Sequence, residues 1–384
     1  MHLIRPARAD DLDLLYKLAK MVFFINLPAE KEIIEEKIRR SRASFEAAAT
    51  GRVPRVAPDG KGAVKDSPLF MFVIEDTETG NCLGTSMIVA RMGTKGHPNL
   101  SFQLRRKEFF SRDLQEGHTH TTAKLWLDES SPSEIGGLIL SPSVRRHPQK
   151  LGKQISLSRF HYIGMHRKLF SDRVIAEMMA PLTGDGRSPF WEALGRRFIN
   201  LSYRDADMFC QHSREFMLSL LPREEIYLSL LPPEARQVIG QVGPDTAPAR
   251  RMLESIGFKY LDRVDPFDGG PHLEADTDTV SLVRDTNDVE YGGVCNVKDA
   301  TAPGFVSAET EDGDLRLCYA RVAAAGNGRS VRLTKDVADL LRAEDAKLVS
   351  FTPVDLGADR KPQAPPVAEP KAAPKKHRRS AAKS

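Results

Sequence analysis

One segment of the chain, residues 134–154, combines a strand, a basic loop and a helix start in an order that suits diphosphate binding. Glu134 is followed by an apolar run that ends at Leu140. A loop with two arginines comes next, and a helix begins near Leu151. Backbone N–H groups of such a loop converge beside the positive end of the helix dipole. The sequence therefore predicts an anion site, and the alternative is a basic strand-to-helix loop without a ligand.

Two glutamates lie where proton transfer could take place. Glu134 opens the strand before the loop, where a carboxylate could accept a proton, and an edge carboxylate that binds the backbone is the alternative. Glu177 shares one face of a predicted strand with Ile175 and Met179 because side chains alternate along a strand. Buried charges are nearly always paired, so Glu177 either pairs with an arginine or faces a second substrate.

Other polar side chains carry weaker signals. Tyr227 could donate a proton to a leaving group, although a strand tyrosine also suits the core. Glu224 and Glu225 could act as bases or belong to a solvated loop. Asp265 and Asp268 could bind a guanidinium or ammonium group, or they could serve the turn Asp-Gly-Gly-Pro that contains the second of them.

Metal-ligand spacing is not evident in the sequence. The four cysteines are far apart, and we expect them to be reduced thiols of a cytoplasmic protein. His118 and His120 form a His-x-His pair, but a third ligand is not apparent nearby, and a polar loop is the expected interpretation. We therefore expect no metal.

Hydrophobic periodicity predicts the elements that position these residues, and together they indicate an α/β (α+β) fold. Helices are expected at 10–19, 29–45 and 152–170. Beyond residue 186 the sequence predicts a helix over 205–221 and a short strand over 227–231. The remaining predicted strands lie at 2–6, 69–75, 82–91, 102–110, 121–127, 134–140 and 173–179.

Composition and charge divide the chain further. With 384 residues, 41% hydrophobic and 28% charged, it resembles an ordinary soluble protein, and no apolar run is long enough for a membrane span. The N-terminus enters a strand pattern at once, which leaves no room for a signal peptide. We expect four regions, namely 1–185, 186–277, a β-rich piece over 278–355, and a tail over 356–384.

Basic character is concentrated in the predicted tail. Residues 357–384 hold eight lysines and arginines against two acidic residues, whereas the whole chain has a net charge of +4. A segment rich in Pro, Ala and Lys cannot bury enough apolar surface to fold, so we expect disorder there. Nucleic-acid contact is expected only through this tail, if at all. A second mobile loop is expected over 49–67.

The motifs carry a resemblance to known enzymes. The spacing Gln149-x-x-Gly152-x-Gln154 resembles the acyl-CoA loop of GNAT acyltransferases, and the order of predicted elements is the GNAT order. The segments Ser188-Pro189-Phe190-Trp191-Glu192 and Val264 through Pro271 are similar to signatures of the arginine/ornithine N-succinyltransferase family. This similarity runs from residue 1 to about 355 and indicates a tandem GNAT-like fold.

The resemblance implies an acyltransferase that moves a succinyl group from succinyl-CoA to the α-amine of arginine or ornithine. It implies no tightly bound cofactor, and an assembly with identical copies or with a paralogue. Histidines of the family are replaced here by Glu224-Glu225 and by Gly243, and the alternative is a non-catalytic subunit that binds CoA or an amino acid. The expected catalytic residues are Glu134, Glu177 and Tyr227, and the expected CoA-binding residues are Leu140, Arg145, Arg146, Gln149, Leu151, Gly152 and Lys153.

Overall fold

A computed structural model describes residues 1–21, 27–52, 67–210 and 213–357 of the chain. The predicted tail therefore lies outside the described residues from position 358 onward, and the predicted mobile loop lies outside them from 53 to 66. Within the described residues, none of the helices has both the length and the apolar character that crossing a bilayer requires. The fold is a mixed α/β arrangement in which helices cover a large sheet.

The first half of the chain has two helices after its first strand, then a run of five strands, then a third helix and a last strand. Its elements are β1 (His2–Pro6), α1 (Leu12–Lys20), α2 (Lys31–Ala49), β2 (Leu69–Asp76), β3 (Cys82–Val89), β4 (Asn99–Ser111), β5 (Glu116–Asp128), β6 (Ser133–Leu140), α3 (Leu151–Met165) and β7 (Arg173–Glu177).

The second half begins with short helices and ends with strands. Its elements are α4 (Arg196–Phe198), α5 (Tyr203–Phe209), α6 (Glu215–Leu220), β8 (Ile226–Tyr227), α7 (Pro233–Val238), α8 (Ala247–Ser255), β9 (Lys259–Val264), β10 (Pro271–Asp276), α9 (Ser281–Arg284), β11 (Asn287–Val294), β12 (Ala302–Glu309), β13 (Leu315–Ala325), β14 (Ser330–Leu333), α10 (Lys335–Leu341) and β15 (Leu348–Pro353).

The strand order places the N-terminal and middle regions in one sheet. From β1 the order runs β1-β2-β3-β6-β7-β10-β9-β4-β5-β8. Strands β9 and β10 come from the region 186–277, yet they insert between β7 and the long hairpin β4–β5. These ten strands are antiparallel except where β6 pairs with β7.

Helices cover both faces of the sheet because its strands are apolar on both sides. Phe70, Phe72 and Ile88 lie in a core with α3, whereas Met71 and Val73 lie in a second core with α1 and α2. A third core joins the hairpin β4–β5 to the helices between residues 190 and 238. Burial on both faces explains why β2 reads as a nearly continuous apolar run rather than an alternating one.

The C-terminal strands close into a five-stranded barrel. Strands β12, β15, β11, β14 and β13 pair in that order, and β13 pairs back to β12. Ile4 of β1 pairs with Leu317 of β13, so the barrel continues the main sheet at its other edge. The barrel has its own apolar core, as expected for a closed sheet.

Two predicted elements of the second half are wrong. The helix expected over 205–221 is two helices, α5 and α6. The strand expected over 227–231 ends at Tyr227, and a 3-10 turn follows over Leu228–Leu230. That turn brings Leu228 and Leu231 to one side, where both are buried, while Leu230 is 82% exposed.

A buried histidine connects α3 to the barrel. The two ring nitrogens of His161 lie 2.6 Å from the Thr352 hydroxyl and 2.8 Å from the Ser307 hydroxyl. Burial, with a smaller effect from His166, lowers the pKa of His161 to about 3. The folded state therefore keeps this ring neutral, whereas the unfolded chain protonates it near its ordinary pKa.

We predict that His161 makes stability acid-sensitive. As pH falls from 6.5 toward 3, the unfolded state binds a proton that the folded state excludes, so the free energy of unfolding decreases. His161→Gln should lower stability at pH 7.5 by about 1–2 kcal/mol through lost hydrogen bonds. The difference in the free energy of unfolding between the wild type and His161→Gln, measured by urea unfolding, should then decrease toward pH 5. His118→Gln, at an exposed histidine, is the control, and parallel curves for wild type and His161→Gln would contradict the prediction.

Candidate active site

The site is built around the place where two parallel strands separate. Strands β6 and β7 are paired only at Ser133↔Val174 and Glu134↔Ile175, at their N-terminal ends. Beyond these pairs β7 hydrogen-bonds to β10 and β6 to β3. The facing edges of β6 and β7 are thus left unpaired toward their C-terminal ends, where backbone groups can bind an extended ligand.

A β-bulge in β6 lies beside this opening. The pairing between β3 and β6 shifts register after Thr85↔Ile139 and resumes at Met87↔Gly136. Gly137, inside the bulge, has φ +56°, and a Cβ on it would lie 2.0 Å from the Met87 Cε atom. Glycine satisfies both the left-handed conformation and the close contact. A bulge of this kind leaves its extra residue without a ladder partner.

The predicted anion loop lies between the C-terminal end of β6 and α3. Arg146 and Lys150 have positive φ, and Lys150 is the residue that caps α3. The Lys150 carbonyl accepts the N–H groups of Lys153 and Gln154. The N–H groups of Leu151 and Gly152, at the first helical positions, have no intrahelical acceptor. They can therefore be offered to a ligand.

Side chains of the loop fix its shape and surround the helix end with positive charge. The Gln154 amide donates to the Gln149 carbonyl at 2.8 Å and closes the turn. A Cβ on Gly152 would lie 3.0 Å from a methyl of Leu140, so Gly152 lets the helix approach β6. The predicted CoA residues thus occupy one end of α3, and the exposed ones among them are Arg145, Arg146, Gln149 and Lys153.

Beside the opening, one face of the sheet is polar. Strand alternation puts Ile135, Val174 and Leu273 into the core under α3. The opposite face therefore carries Glu134, Glu177 and His272, of which His272 is the cross-strand partner of Glu177. Glu134 is 2% exposed and His272 is 6% exposed.

Glu177 is held in place by a relay of polar groups. The Asn99 amide donates to Glu177 Oε1 at 3.1 Å, and the Arg214 guanidinium donates to Asn99 Oδ1 at 3.1 Å. Burial alone would lower the pKa of Arg214, but negative groups around it, Glu177, Glu134 and Asp265 among them, raise it. Glu177 therefore neither stands alone nor pairs directly with an arginine, since Asn99 lies between the two.

His272 sits between two carboxylates. Its Nε2 atom lies 3.9 Å from Glu177 Oε1 and 3.8 Å from Asp265 Oδ2. These separations exceed hydrogen-bond distance, and Nε2 has no hydrogen-bond partner among the described residues. Burial would lower the pKa of His272, but the Glu177 and Asp265 carboxylates outweigh it and raise the pKa above the ordinary value.

Further charged groups border this polar face. Burial, together with Arg40, lowers the pKa of Lys37 to about 8, and the Glu134 carboxylate opposes this shift. Burial, together with Asp265, raises the pKa of Asp207 to about 7. The site thus offers both cationic and anionic side chains, which is the combination that a zwitterionic amino acid requires.

A small cation has one evident place in the described part of the chain. Oxygen atoms of Glu177 and Asp265 and a ring nitrogen of His272 lie within 4.8 Å of one another. A protonated primary amine suits three such groups because it carries three donors and no acceptor. His118 and His120 are not part of this set, and the expectation that the protein uses no metal stays a prediction.

Several residues predicted from sequence are not brought to this site. Tyr227 contacts Phe109 and His120 on the hairpin side, and β8 is five strands from β7, which corresponds to about 24 Å at the usual strand spacing. Glu225 forms ion pairs with Lys107 and Arg105, as expected of a surface loop.

The two aspartates of the Gly-rich turn have different positions. Asp268 accepts the N–H groups of Gly270 at 2.7 Å and Ala180 at 2.9 Å, so both its oxygens serve the backbone. Asp265 Oδ1 accepts the N–H groups of Phe267 and Asp268, which leaves Oδ2 toward His272. The turn function considered from sequence is confirmed for both, and Asp265 adds a carboxylate oxygen to the site.

Sequence reasoning missed four residues of the site, namely Asn99, Arg214, Lys37 and His272. The first two are 115 positions apart and carried no local signal. His272 directly follows the Phe-Asp-Gly-Gly-Pro segment and could have been found as a histidine entering a strand beside two aspartates.

Comparisons with known proteins show which family the chain belongs to. The structure matches the solved structure of arginine/ornithine succinyltransferase subunit AI from Pseudomonas aeruginosa with a TM-score of 0.73 and 27% identity, covering 92% of this chain and 98% of that one. Residues 2–282 match the family model described as arginine N-succinyltransferase beta subunit. Arginine N-succinyltransferases of Escherichia coli strains K12/DH10B and SE11 are 34% identical over 293 residues, which cover 76% of this chain and 80% of theirs.

The chain therefore belongs to the arginine N-succinyltransferase family, as its motifs indicated. The family model ends before β11, whereas the structural match covers 92% of the chain. That share is too large to leave out the whole barrel, so the match extends into it.

We predict that the bulge in β6 depends on Gly137. Gly137→Ala should lower the free energy of unfolding by about 1–2 kcal/mol because an L-residue is strained at this φ. It should also reduce the melting-temperature increase that CoA produces, since the bulge borders the opening. Gly184→Ala is the control, because a Cβ at Gly184 meets nothing within 4 Å. Equal unfolding curves for the two variants would contradict the prediction.

Proposed function

We propose that this chain transfers the succinyl group of succinyl-CoA to the α-amine of arginine or ornithine. The observation that carries the proposal is the opening between β6 and β7, with an anion loop at one end and a cluster of ionisable side chains on its polar face. An extended thioester can lie in this opening with its phosphates at α3 and its carbonyl near the bulge. The family membership supports the same reaction.

The donor half of the site is proposed to bind CoA. The N–H groups of Leu151 and Gly152 would receive the diphosphate at the helix N-terminus. Three exposed cations, Arg145, Arg146 and Lys153, would neutralise the diphosphate and the 3′-phosphate. Gln149 would shape the loop and Leu140 would contact the pantetheine arm. We also propose that this half has the GNAT fold and that the region 186–277 is a degenerate second GNAT unit.

The acceptor half is proposed to bind an amino acid. Arg214 and Lys37 have the charge required for the α-carboxylate, whereas Glu177 and Asp265 have that required for an ammonium group. Glu134 is proposed to act as base or to position a water molecule, because it is buried on the polar face near the first residues of the opening. Tyr227 lies outside this half, and we assign it no step.

The reaction needs three things that this geometry can supply. The ammonium group must lose a proton before its nitrogen attacks the thioester carbonyl. The negative charge that develops on the carbonyl oxygen must be stabilised, and backbone N–H groups at the bulge are suitable donors. The carbon–sulfur bond then breaks, and CoA leaves as thiol.

The proposal also covers the role of succinyl-CoA, the assembly of the chain and its location in the cell. Succinyl-CoA would be a co-substrate rather than a tightly bound cofactor. The structural neighbour is named as a subunit, and we propose that this chain also assembles with identical copies or a paralogue. A cytoplasmic location is also proposed, because the four cysteines are free thiols, as is usual in a reducing compartment.

The test is release of free thiol from succinyl-CoA with and without L-arginine, with ornithine measured in parallel. We predict arginine-dependent or ornithine-dependent release by the wild type. Arg145→Ala combined with Arg146→Ala should raise KM for succinyl-CoA by roughly tenfold or more with little change in kcat, because phosphate contacts contribute about equally to ground and transition states. Glu134→Gln should lower kcat by about tenfold or more.

A control variant and a binding measurement separate the outcomes. Arg284→Ala removes an exposed arginine that pairs with Asp285 and should leave KM unchanged. Thiol release that no amino acid stimulates would contradict the proposed function. If CoA still raised the melting temperature in that case, the chain would be a binding subunit without this activity.

A further inference from the structure

We propose that His272 is the general base that takes the proton of the attacking amine, with Glu177 and Asp265 holding the ammonium group against it. The inference rests on the proposed function, because it assigns the proton acceptor within the same site. Under this inference Glu134 positions a water molecule and is not the base.

Strand pairing places His272 at the reacting end of the site. His272 is directly opposite Glu177, the last residue of β7. That end of β7 is where the strand has separated from β6. Because opposite residues in an antiparallel pair project to the same face, the imidazole lies on the polar face beside the opening.

The Nε2 atom of His272 is buried and lacks a hydrogen-bond partner in the part of the chain that the structure describes. The side chain of His272 is 7% exposed, and Nε2 has no hydrogen-bond partner among the described residues. Leaving a buried polar atom unpaired destabilises a protein. A donor group bound between the carboxylates would complete this environment, and an ammonium N–H can do so.

The two carboxylates are fixed independently of the ligand. Asp265 Oδ1 accepts two backbone N–H groups of its own turn, at 2.7 and 3.1 Å. Glu177 Oε1 accepts the Asn99 amide. Their oxygens therefore keep a stable spacing around Nε2, so binding an ammonium group needs little rearrangement of the site.

Charges from every neighbouring element act on His272. Burial would lower its pKa, but the surrounding carboxylates raise it, which strengthens the ring as a base. An imidazolium formed by proton transfer would be stabilised by the same carboxylates. The groups that face the ring are Glu177 of β7, Asp265 and Asp268 of the turn after β9, and Glu134 of β6, with Arg214 beyond Asn99 as the neighbouring cation.

Each proton and each bond in the proposed reaction can be followed from reactant to product. Two protons must leave the ammonium nitrogen during amide formation. His272 Nε2 takes the first, the nitrogen lone pair then forms a bond to the thioester carbonyl carbon, and the carbon–sulfur bond breaks with its electron pair on sulfur. The second proton ends on the CoA sulfur, and the imidazolium returns its proton to solvent.

The experiment compares pH profiles of kcat for wild type and His272→Gln, measured as arginine- or ornithine-dependent thiol release. The wild type should lose activity as pH falls through the pKa of the histidine, because the protonated ring cannot accept a proton. His272→Gln should lower kcat by about 100-fold or more and abolish this acidic limb, with KM for succinyl-CoA unchanged. Asp265→Asn, which preserves the turn acceptor, should move the limb to lower pH.

Controls make the outcomes distinct. His118→Gln, at an exposed histidine on the hairpin, should behave as wild type. The melting-temperature increase with CoA should be the same for His272→Gln and wild type, which excludes misfolding as the cause. A His272→Gln enzyme with normal kcat and an unchanged acidic limb would overturn the inference while the proposed function stood. Activity that EDTA abolishes and Zn²⁺ restores would also overturn it, and a wild type that no amino acid stimulates would refute both proposals.

Discussion

The short parallel pairing between β6 and β7 is the constraint on which the site depends. Parallel strands normally exchange hydrogen bonds along their length, but here only two residue pairs are in register before the strands part. The divergence is stable because each strand finds another partner, β3 on one side and β10 on the other. The sheet therefore contains an opening with unpaired backbone groups, and the strands on both sides of it remain paired.

The elements on the two faces of the sheet position different parts of the candidate site. Helix α3 is anchored from below by the core of the sheet and from the C-terminal side by hydrogen bonds of His161 to the barrel. Because its N-terminus bears the anion loop, the barrel contributes to holding the donor end in place. On the opposite face, Lys37 from α2 and Arg214 from the segment before α6 approach the polar face of the sheet.

The strand, loop and helix proposed to bind CoA could be predicted from sequence because their residues are contiguous. A strand, a basic loop and a helix within twenty-odd positions form one local unit, and Glu134 through Lys153 indeed lie together. The acceptor end could not be predicted in the same way. Glu177 and Asn99 are 78 positions apart, and their contact depends on which strands are neighbours in the sheet.

Strand order also explains the predicted residue that the structure does not bring to the site. A tyrosine in a short strand gives no sign of which edge that strand joins, and β8 joins the far edge, beyond β5. Local patterns likewise could not show that β9 and β10 enter the first sheet rather than form one of their own. His272 was overlooked for the same reason, since its significance arises only from its register with Glu177.

The rigid and the variable parts of the acceptor end lie on different kinds of structure. Glu177, Asp265 and His272 belong to hydrogen-bonded strands and to a tight turn that Asp268 ties to the backbone of Ala180. The cations above them belong to helices and connecting segments, whose sequence can drift without disturbing the ladder. If the proposed reaction is right, substitutions in these helices and segments would change which amino acid binds without disturbing the strands that hold Glu177 and His272.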